Sequence, residues 1–360
     1  MHGQKILFAV HDWGLGHATR VLPLIRGLLD AGHSVIILST GRALELLRGE
    51  LDDRCNFIEL KDIPKPFSRT AAAFYVKMSL SLPMMFRTFQ RERRFTRSLC
   101  RREGIDRIVS DSRIGVCIPE VPSYFLFHSM RQIIPGRPYW LEKMVEGSQM
   151  RMFANAQRIL VPDEAEDGGL SGDLSHNLSC DWKGRLAYIG PLSTISPQSG
   201  DQDLDYFISI SGEEPQRSML ERRVLDQVEG LPGRVVVTLG KPEAETRSLS
   251  RGRIDVYNYL GRHDQQDMMN RARVVVCRSG YTTLMELAQL GKKALFIPTI
   301  GQSEQEYLAR YHMERGHTYT VPQNHLDLAR DAALAETYHG LPRMPPAAES
   351  VRRFLEVVIP

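Results

Sequence analysis

A chain of 360 residues, 42% hydrophobic and 25% charged, has the make-up of a soluble globular protein and is long enough for two domains. Its net charge of +3 is too small to argue for nucleic acid as a partner. Five cysteines, an odd number without C-x-x-C spacing, suit reduced thiols better than a disulfide framework or a zinc site, and no run of about 18 apolar residues is present to span a membrane.

Lys5–Val10 opens the chain as a strand, which leaves no room for a signal peptide ahead of it and makes the cytoplasm the expected location. Ser34–Leu38, Asn56–Leu60, Arg107–Ser110, Ser123–Phe127 and Arg158–Val161 follow as strands, with helical periodicity at Arg20–Ala31 and Ala43–Leu51. Their apolar character is continuous rather than alternating, as in parallel strands covered on both faces. A second series runs Tyr206–Ser211, Arg234–Leu239, Arg253–Tyr257, Arg273–Cys277, Lys293–Pro298 and Thr318–Val321. The polar segment STISPQSGDQD between the series reads as a linker. The pattern predicts an α/β protein of two Rossmann-like, doubly wound parallel-sheet domains facing a cleft. The expected boundaries are a first domain at 1–192, a linker at 193–203, a second domain at 204–340, and a C-terminal helical segment, 341–360, packing back on the first domain. Ligands of such sheets bind beyond the carboxyl ends of the strands, so functional residues are sought on strand-to-helix loops.

The first such loop, in VHDWGLGHATR, holds Gly14-x-Gly16 with Thr19 where a dinucleotide fingerprint needs its third glycine. The second strand ends in Ser39-Thr40-Gly41 without the acid that would take a ribose, which argues against a nicotinamide cofactor. With a helix starting near Ala18, His17 stands at a helix N-terminus, where the dipole disfavours imidazolium and keeps a neutral base. The plain alternative is a glycine turn with a capping histidine. Asp111 and Arg113 in VSDSRIG also follow a strand and are candidates for the same side of the cleft, while His128 in FLFHSM reads as a buried, satisfied histidine.

In VVVCRSGYTTLMELAQLGKKALFIP a strand ends at Cys277 and a helix starts near Thr282. Ser279, Gly280, Thr282 and Thr283 at that start form an anion site, and Glu286 is placed to accept from a vicinal diol; its ordinary alternative is a partner for the helix dipole. The next loop offers Gln302, Glu304, Gln305 and Glu306, side chains suited to sugar hydroxyls or to a solvated helix start.

This segment resembles the donor-binding segment of MurG-type glycosyltransferases, which attach N-acetylglucosamine to a lipid-linked acceptor in peptidoglycan synthesis, and GLGHATR is similar to that family's N-terminal loop. The resemblance implies the GT-B fold and an inverting transfer from a nucleotide-diphosphate sugar, a uridine one, without an obligatory metal or other cofactor. It implies that Glu286 binds the ribose and Gln305 the sugar, that Ser279, Gly280 and Thr283 surround the diphosphate, and that His17 lies at the acceptor side with Gly14 and Gly16. The chain departs from the pattern in three places. Gln305-Glu306 replaces two glutamines. The phosphate loop becomes Ser211-Gly212-Glu213-Glu214-Pro215-Gln216-Arg217, where Ser211, Gly212 and Arg217 are the expected contacts. YIGPLST lacks the family's arginine. The chain therefore resembles a divergent relative with its own substrate. It also resembles the hydrolase of pseudaminic acid synthesis, so hydrolysis of a nucleotide sugar, or binding without catalysis, are the competing expectations.

Two further stretches are rich in charge. DQDLD contains D-x-D, which reads as solvated linker charge more readily than as a metal site. Residues 77–107 hold nine Lys or Arg against three acids. Met78, Leu82, Met85 and Phe89 share a helical face that reads as core. Met84, Phe86 and Phe95 are left beside arginines, a pattern that fits peripheral contact with the inner face of a membrane.

Overall fold

The computed structural model describes residues 3–63, 71–182, 184–241 and 248–360, with the side chains of 71–80, 82, 248 and 251 outside it. The chain divides into two units, one of residues 1–194 and 345–360, the other of 195–344.

In the first unit, β1 (Lys5–Val10), α1 (Leu15–Asp30), β2 (Ser34–Ser39), α2 (Gly41–Leu51), β3 (Asn56–Glu59), α3 (Ala71–Glu103), β4 (Arg107–Asp111), β5 (Ser123–Leu126), α4 (Tyr139–Met152), β6 (Arg158–Val161) and β7 (Leu186–Tyr188) follow one another. The strands form one parallel sheet in the order β3-β2-β1-β4-β5-β6-β7. The apolar runs of β1, β2, β4 and β5 are buried because helices cover both faces, the reason their sequences do not alternate. Strand order reverses between β1 and β4, where Val10 is in register with Asp111. The crevice beyond those two carboxyl ends is where such a sheet takes ligands.

The second unit contains β8 (Leu204–Ser209), α5 (Gln216–Leu225), β9 (Val235–Thr238), β10 (Ser248–Arg251), β11 (Ile254–Tyr257), α6 (Arg262–Arg271), β12 (Ala272–Cys277), α7 (Tyr281–Leu290), β13 (Lys293–Phe296), α8 (Ser303–Glu314), β14 (Tyr319–Thr320) and α9 (Leu328–Glu336). Its sheet runs β10-β11-β9-β8-β12-β13-β14, parallel except for the β10–β11 pair at one edge. The order reverses between β8 and β12, so the loops after those strands flank this sheet's own crevice. Val235, Val237, Val274, Val276, Leu295 and Ile297 lie in its core.

The chain then returns to the first unit as α10 (Ala347–Val358). Ser350, Phe354 and Val358 are buried there, and the Ser350 hydroxyl donates to the Pro191 carbonyl at 2.8 Å. Residues 195–203 are tied down rather than loose: the backbone N–H groups of Ser196 and Gln198 donate to Gln266 and Asn270 of α6. Two of the three acids of DQDLD face arginines, Asp203 pairing with Arg271 and Arg234, and Asp205 with Arg273. Among the described residues no group of three or more metal-ligating side chains gathers, and no helix is long and apolar enough to cross a membrane.

On α3, Met78 and Leu82 lie outside the described side chains. Met85 and Phe89 are half-buried, and Met84 and Phe86 are exposed. Phe95 differs from its expected place: it packs against the core beneath β1, β2 and β4 rather than standing off it.

Candidate active site

α1 begins at Leu15, earlier than the sequence suggested, with Gly14 as its N-cap, so Gly16 and His17 both lie in its first turn. A side chain at Gly14 would meet nothing within 4 Å, so the backbone there borders open space. Asp12, Trp13 and His11 anchor the loop behind it. Asp12 accepts from the Ala43 N–H at the start of α2, the Trp13 indole donates to the Ile63 carbonyl, and His11 bonds Asp62 through Nδ1.

The β1–β4 register brings two distant residues together. His17 Nδ1 lies 3.1 Å from Asp111 Oδ2, across a separation of 94 residues. The Asp111 side chain is fully buried, whereas 23% of the His17 side chain remains accessible, so the imidazole sits in a recess that a substrate can reach. The surrounding protein lowers the His17 pKa to about 4: burial acts most strongly, Asp111 opposes it, and Arg20 and His11 add to the lowering. Burial works to raise the Asp111 carboxyl, but Arg20 and His17 outweigh it and hold the group well below the usual carboxylate range. His128 is buried nearby, its Nδ1 3.5 Å from Arg20.

Arg113 departs from expectation. Two residues beyond Asp111, it turns inward, is 1% exposed, and gives its guanidinium to Glu92 and to the carbonyls of Leu60 and Lys61. It ties α3 to the segment after β3, and no part of it is left to meet a ligand.

In the second unit the loops after β8, β12 and β13 carry the candidates. Gly280 is the N-cap of α7 and has no side chain of its own to cap that helix start. Ser279 is buried and donates to the Gln305 carbonyl at 2.8 Å. Thr282, Thr283 and Glu286 are half-buried on α7. The Glu286 side chain has no hydrogen-bond partner among the described residues. Burial raises its pKa to about 7, with Arg262 offsetting part of the effect. At the start of α8, the Gln305 side chain accepts from the Thr299 N–H and donates to Gln302, and Glu306 accepts from the Gly301 N–H. Gln305 and Glu306 therefore shape the loop between β13 and α8.

Ser211 and Gly212 are exposed in the loop after β8, and Gly212 has φ +113°, a conformation that strains any residue bearing a Cβ. Arg217 is a second departure: Glu214, Glu221 and the Leu239 carbonyl hold its guanidinium, so it is not free toward the loop after β8. In its place stand two residues that the sequence reading passed over. Arg278 is buried and bound only by neutral oxygens, including the Ile297 carbonyl at 2.8 Å and Gln323 Oε1 at 2.7 Å. Thr299 is buried, and its hydroxyl lacks a partner. A Cβ at Gly212 would lie 3.9 Å from both Arg278 Nε and Thr299 Oγ1. Among the described residues, a buried cation without a counter-ion and an unsatisfied hydroxyl therefore border one spot at the crevice of this sheet. The available signal was a charged residue directly ending an apolar strand, in the stretch already singled out.

Residues 216–344 match the glycosyltransferase family 28 C-terminal domain. Over most of its length the chain is similar to an uncharacterized glycosyltransferase of Methanosarcina acetivorans, at 23% identity over 354 residues, 93% of this chain and 91% of that protein. The glycotransferase of kitacinnamycin shares the fold at a TM-score of 0.66 and 14% identity, over 98% of this chain and 94% of that one. Acinetobacter baumannii MurG does so at 0.57 and 14%, over 99% of both chains. Residues 216–344 thus resemble a glycosyltransferase family 28 C-terminal domain, and the chain shares the two-sheet fold of these solved glycosyltransferases.

Proposed function

We propose that the protein transfers a sugar, with inversion at the anomeric carbon, from a UDP-sugar to a hydroxyl of a lipid-linked acceptor. The observation that carries this reading is the His17–Asp111 pair: an accessible imidazole, neutral near pH 7, beyond the strand ends where the first sheet takes ligands. With its Nδ1 proton donated to Asp111, His17 presents a lone pair at Nε2. That lone pair takes the proton of the acceptor hydroxyl as its oxygen attacks the anomeric carbon. The bond from that carbon to the diphosphate breaks, and the nucleoside diphosphate leaves with the electron pair. The α7 N-terminus, Ser279 to Thr283, and the spot between Gly212, Arg278 and Thr299 suit the charge that develops on the leaving group. Glu286, raised by burial and without a hydrogen-bond partner among the described residues, suits the ribose diol. Exposed Met84 and Phe86 beside exposed Arg87, Arg91 and Arg94 suit an anionic membrane surface, which is why the acceptor is assigned to a lipid.

The test is release of nucleoside diphosphate from a panel of UDP- and dTDP-sugars, with and without membrane lipid extract, for the wild type and His17→Ala. Release that requires the extract and falls by roughly 10²–10⁴ in the variant is the expected result. Rapid release without extract would make the enzyme a hydrolase in which His17 activates water. Near-normal turnover in His17→Ala would remove that residue from the chemistry.

A further inference from the structure

Arg20 follows His17 by one turn on α1 and is 3% exposed. Its guanidinium grips Asp111 with two donors, Nε to Oδ2 at 3.1 Å and Nη2 to Oδ1. Nη2 also lies 3.0 Å from His17 Nδ1, and Nη1 lies 3.5 Å from His128 Nδ1. His17 Nδ1 therefore faces two partners with opposite demands. Asp111 Oδ2, at 3.1 Å, needs a proton on that nitrogen, whereas the Arg20 N–H needs its lone pair. One nitrogen can satisfy only one of them at a time.

Asp111 does not depend on His17. It already receives Arg20 through both nitrogens and the Ser112 hydroxyl at 3.1 Å. A lone carboxylate beside a histidine favours imidazolium, but a guanidinium at the same distance disfavours it about equally, so the two charges nearly cancel and burial decides. The other groups facing the ring do not restore the balance. The His11 ring stands edge-on with centroids 5.4 Å apart, its own Nδ1 bonded to Asp62, and His128 reaches the cluster through Arg20.

We propose that Arg20 is a positioning residue that, by clamping Asp111 and competing for His17 Nδ1, sets the pH at which His17 takes up its proton, and with it the acid limit of the reaction. The part concerning the reaction rests on His17 being the base; the part concerning the ring does not.

The experiment follows the His17 ring by NMR titration in the free, full-length protein and records pH–rate profiles, for wild type, Arg20→Lys, Arg20→Gln and Arg20→Gln/Asp111→Asn. Arg20→Gln releases the full charge of Asp111 toward His17, so the midpoint of the ring and the acid limb of the rate should both rise by about one pH unit or more. Arg20→Lys keeps the charge and should stay near wild type. The double variant leaves no unpaired buried carboxylate, which guards against loss of the fold, and with both opposing charges gone its ring should also titrate near wild type. A ring midpoint that is the same in all four proteins, with rates lowered by one factor at every pH, would make Arg20 merely structural and overturn the proposal. A midpoint that moves as expected while the rate profile stays still would uphold control of the ring by Arg20 and refute His17 as the base.

Discussion

Glu286 is held close to half-ionised at neutral pH, since burial lifts its carboxyl to about 7. In the ribose-binding role proposed for it, the carboxylate would accept both protons of the diol, and the acid would lose most of that capacity. The sign is therefore fixed: donor affinity should rise with pH through neutrality. From about pH 8 down to about pH 6 the ionised fraction falls to roughly one tenth, and a UDP-sugar, whose diphosphate diester does not titrate there, should bind about tenfold more weakly. Glu286→Gln should bind more weakly at high pH and show no such slope by calorimetric titration. A slope unchanged in the variant would place the titrating group elsewhere. Glu286 and His17 stood out in the sequence because each follows a glycine-marked strand-to-helix turn. The identity of the partner of His17 did not. Asp111 and Arg113 are two residues apart with the same warrant, and only the β1–β4 register turns one toward His17 and the other into the core beside Glu92. Arg217 misled for a similar reason: a cation near an expected phosphate is also a cation near Glu214 and Glu221, and a carboxylate covalently fixed nearby takes it first.

At the scale of elements, continuous apolar runs were enough to locate the buried strands. β7 and β10 were missed because they are short edge or near-edge pieces, LAY and SLSR, in which little hydrophobic surface is demanded by a covering helix. The early start of α1 was missed because glycines at 14 and 16 read as loop, although Gly16 is helical. Helix contacts left no periodic trace either. Gly27 of α1 faces Val351 of α10 so closely that a Cβ there would lie 2.3 Å from Val351 Cγ1. In an isolated helix Gly27→Ala would stabilise by ~1 kcal/mol. Against Val351 the overpacking should outweigh that gain and lower stability by about 1–3 kcal/mol. Val351→Ala in the same chain opens the space, so the double variant should recover most of the loss, with a coupling of about 1 kcal/mol or more in denaturant unfolding. A Gly27→Ala protein at least as stable as wild type would mean that α10 shifts away at little cost.

For the whole molecule, the informative feature is that one unit is continuous and the other is not. Residues 195–344 hold every candidate for donor binding, while the first unit depends for a core helix on the last residues of the chain. Phe354 is fully buried there, and Arg353 pairs with Glu164 at 2.9 Å. Phe354→Ala should therefore cost about 3–5 kcal/mol, a mechanism of cavity formation confined to the first unit. A nucleoside diphosphate, by contrast, should stabilise whichever unit binds it, in proportion to the logarithm of its concentration over Kd. Scanning calorimetry separates the two effects. Phe354→Ala should lower one transition, added UDP should raise the other, and the affinity of the variant for UDP should match wild type by titration. A single transition that both perturbations move together would show instead that the units unfold as one.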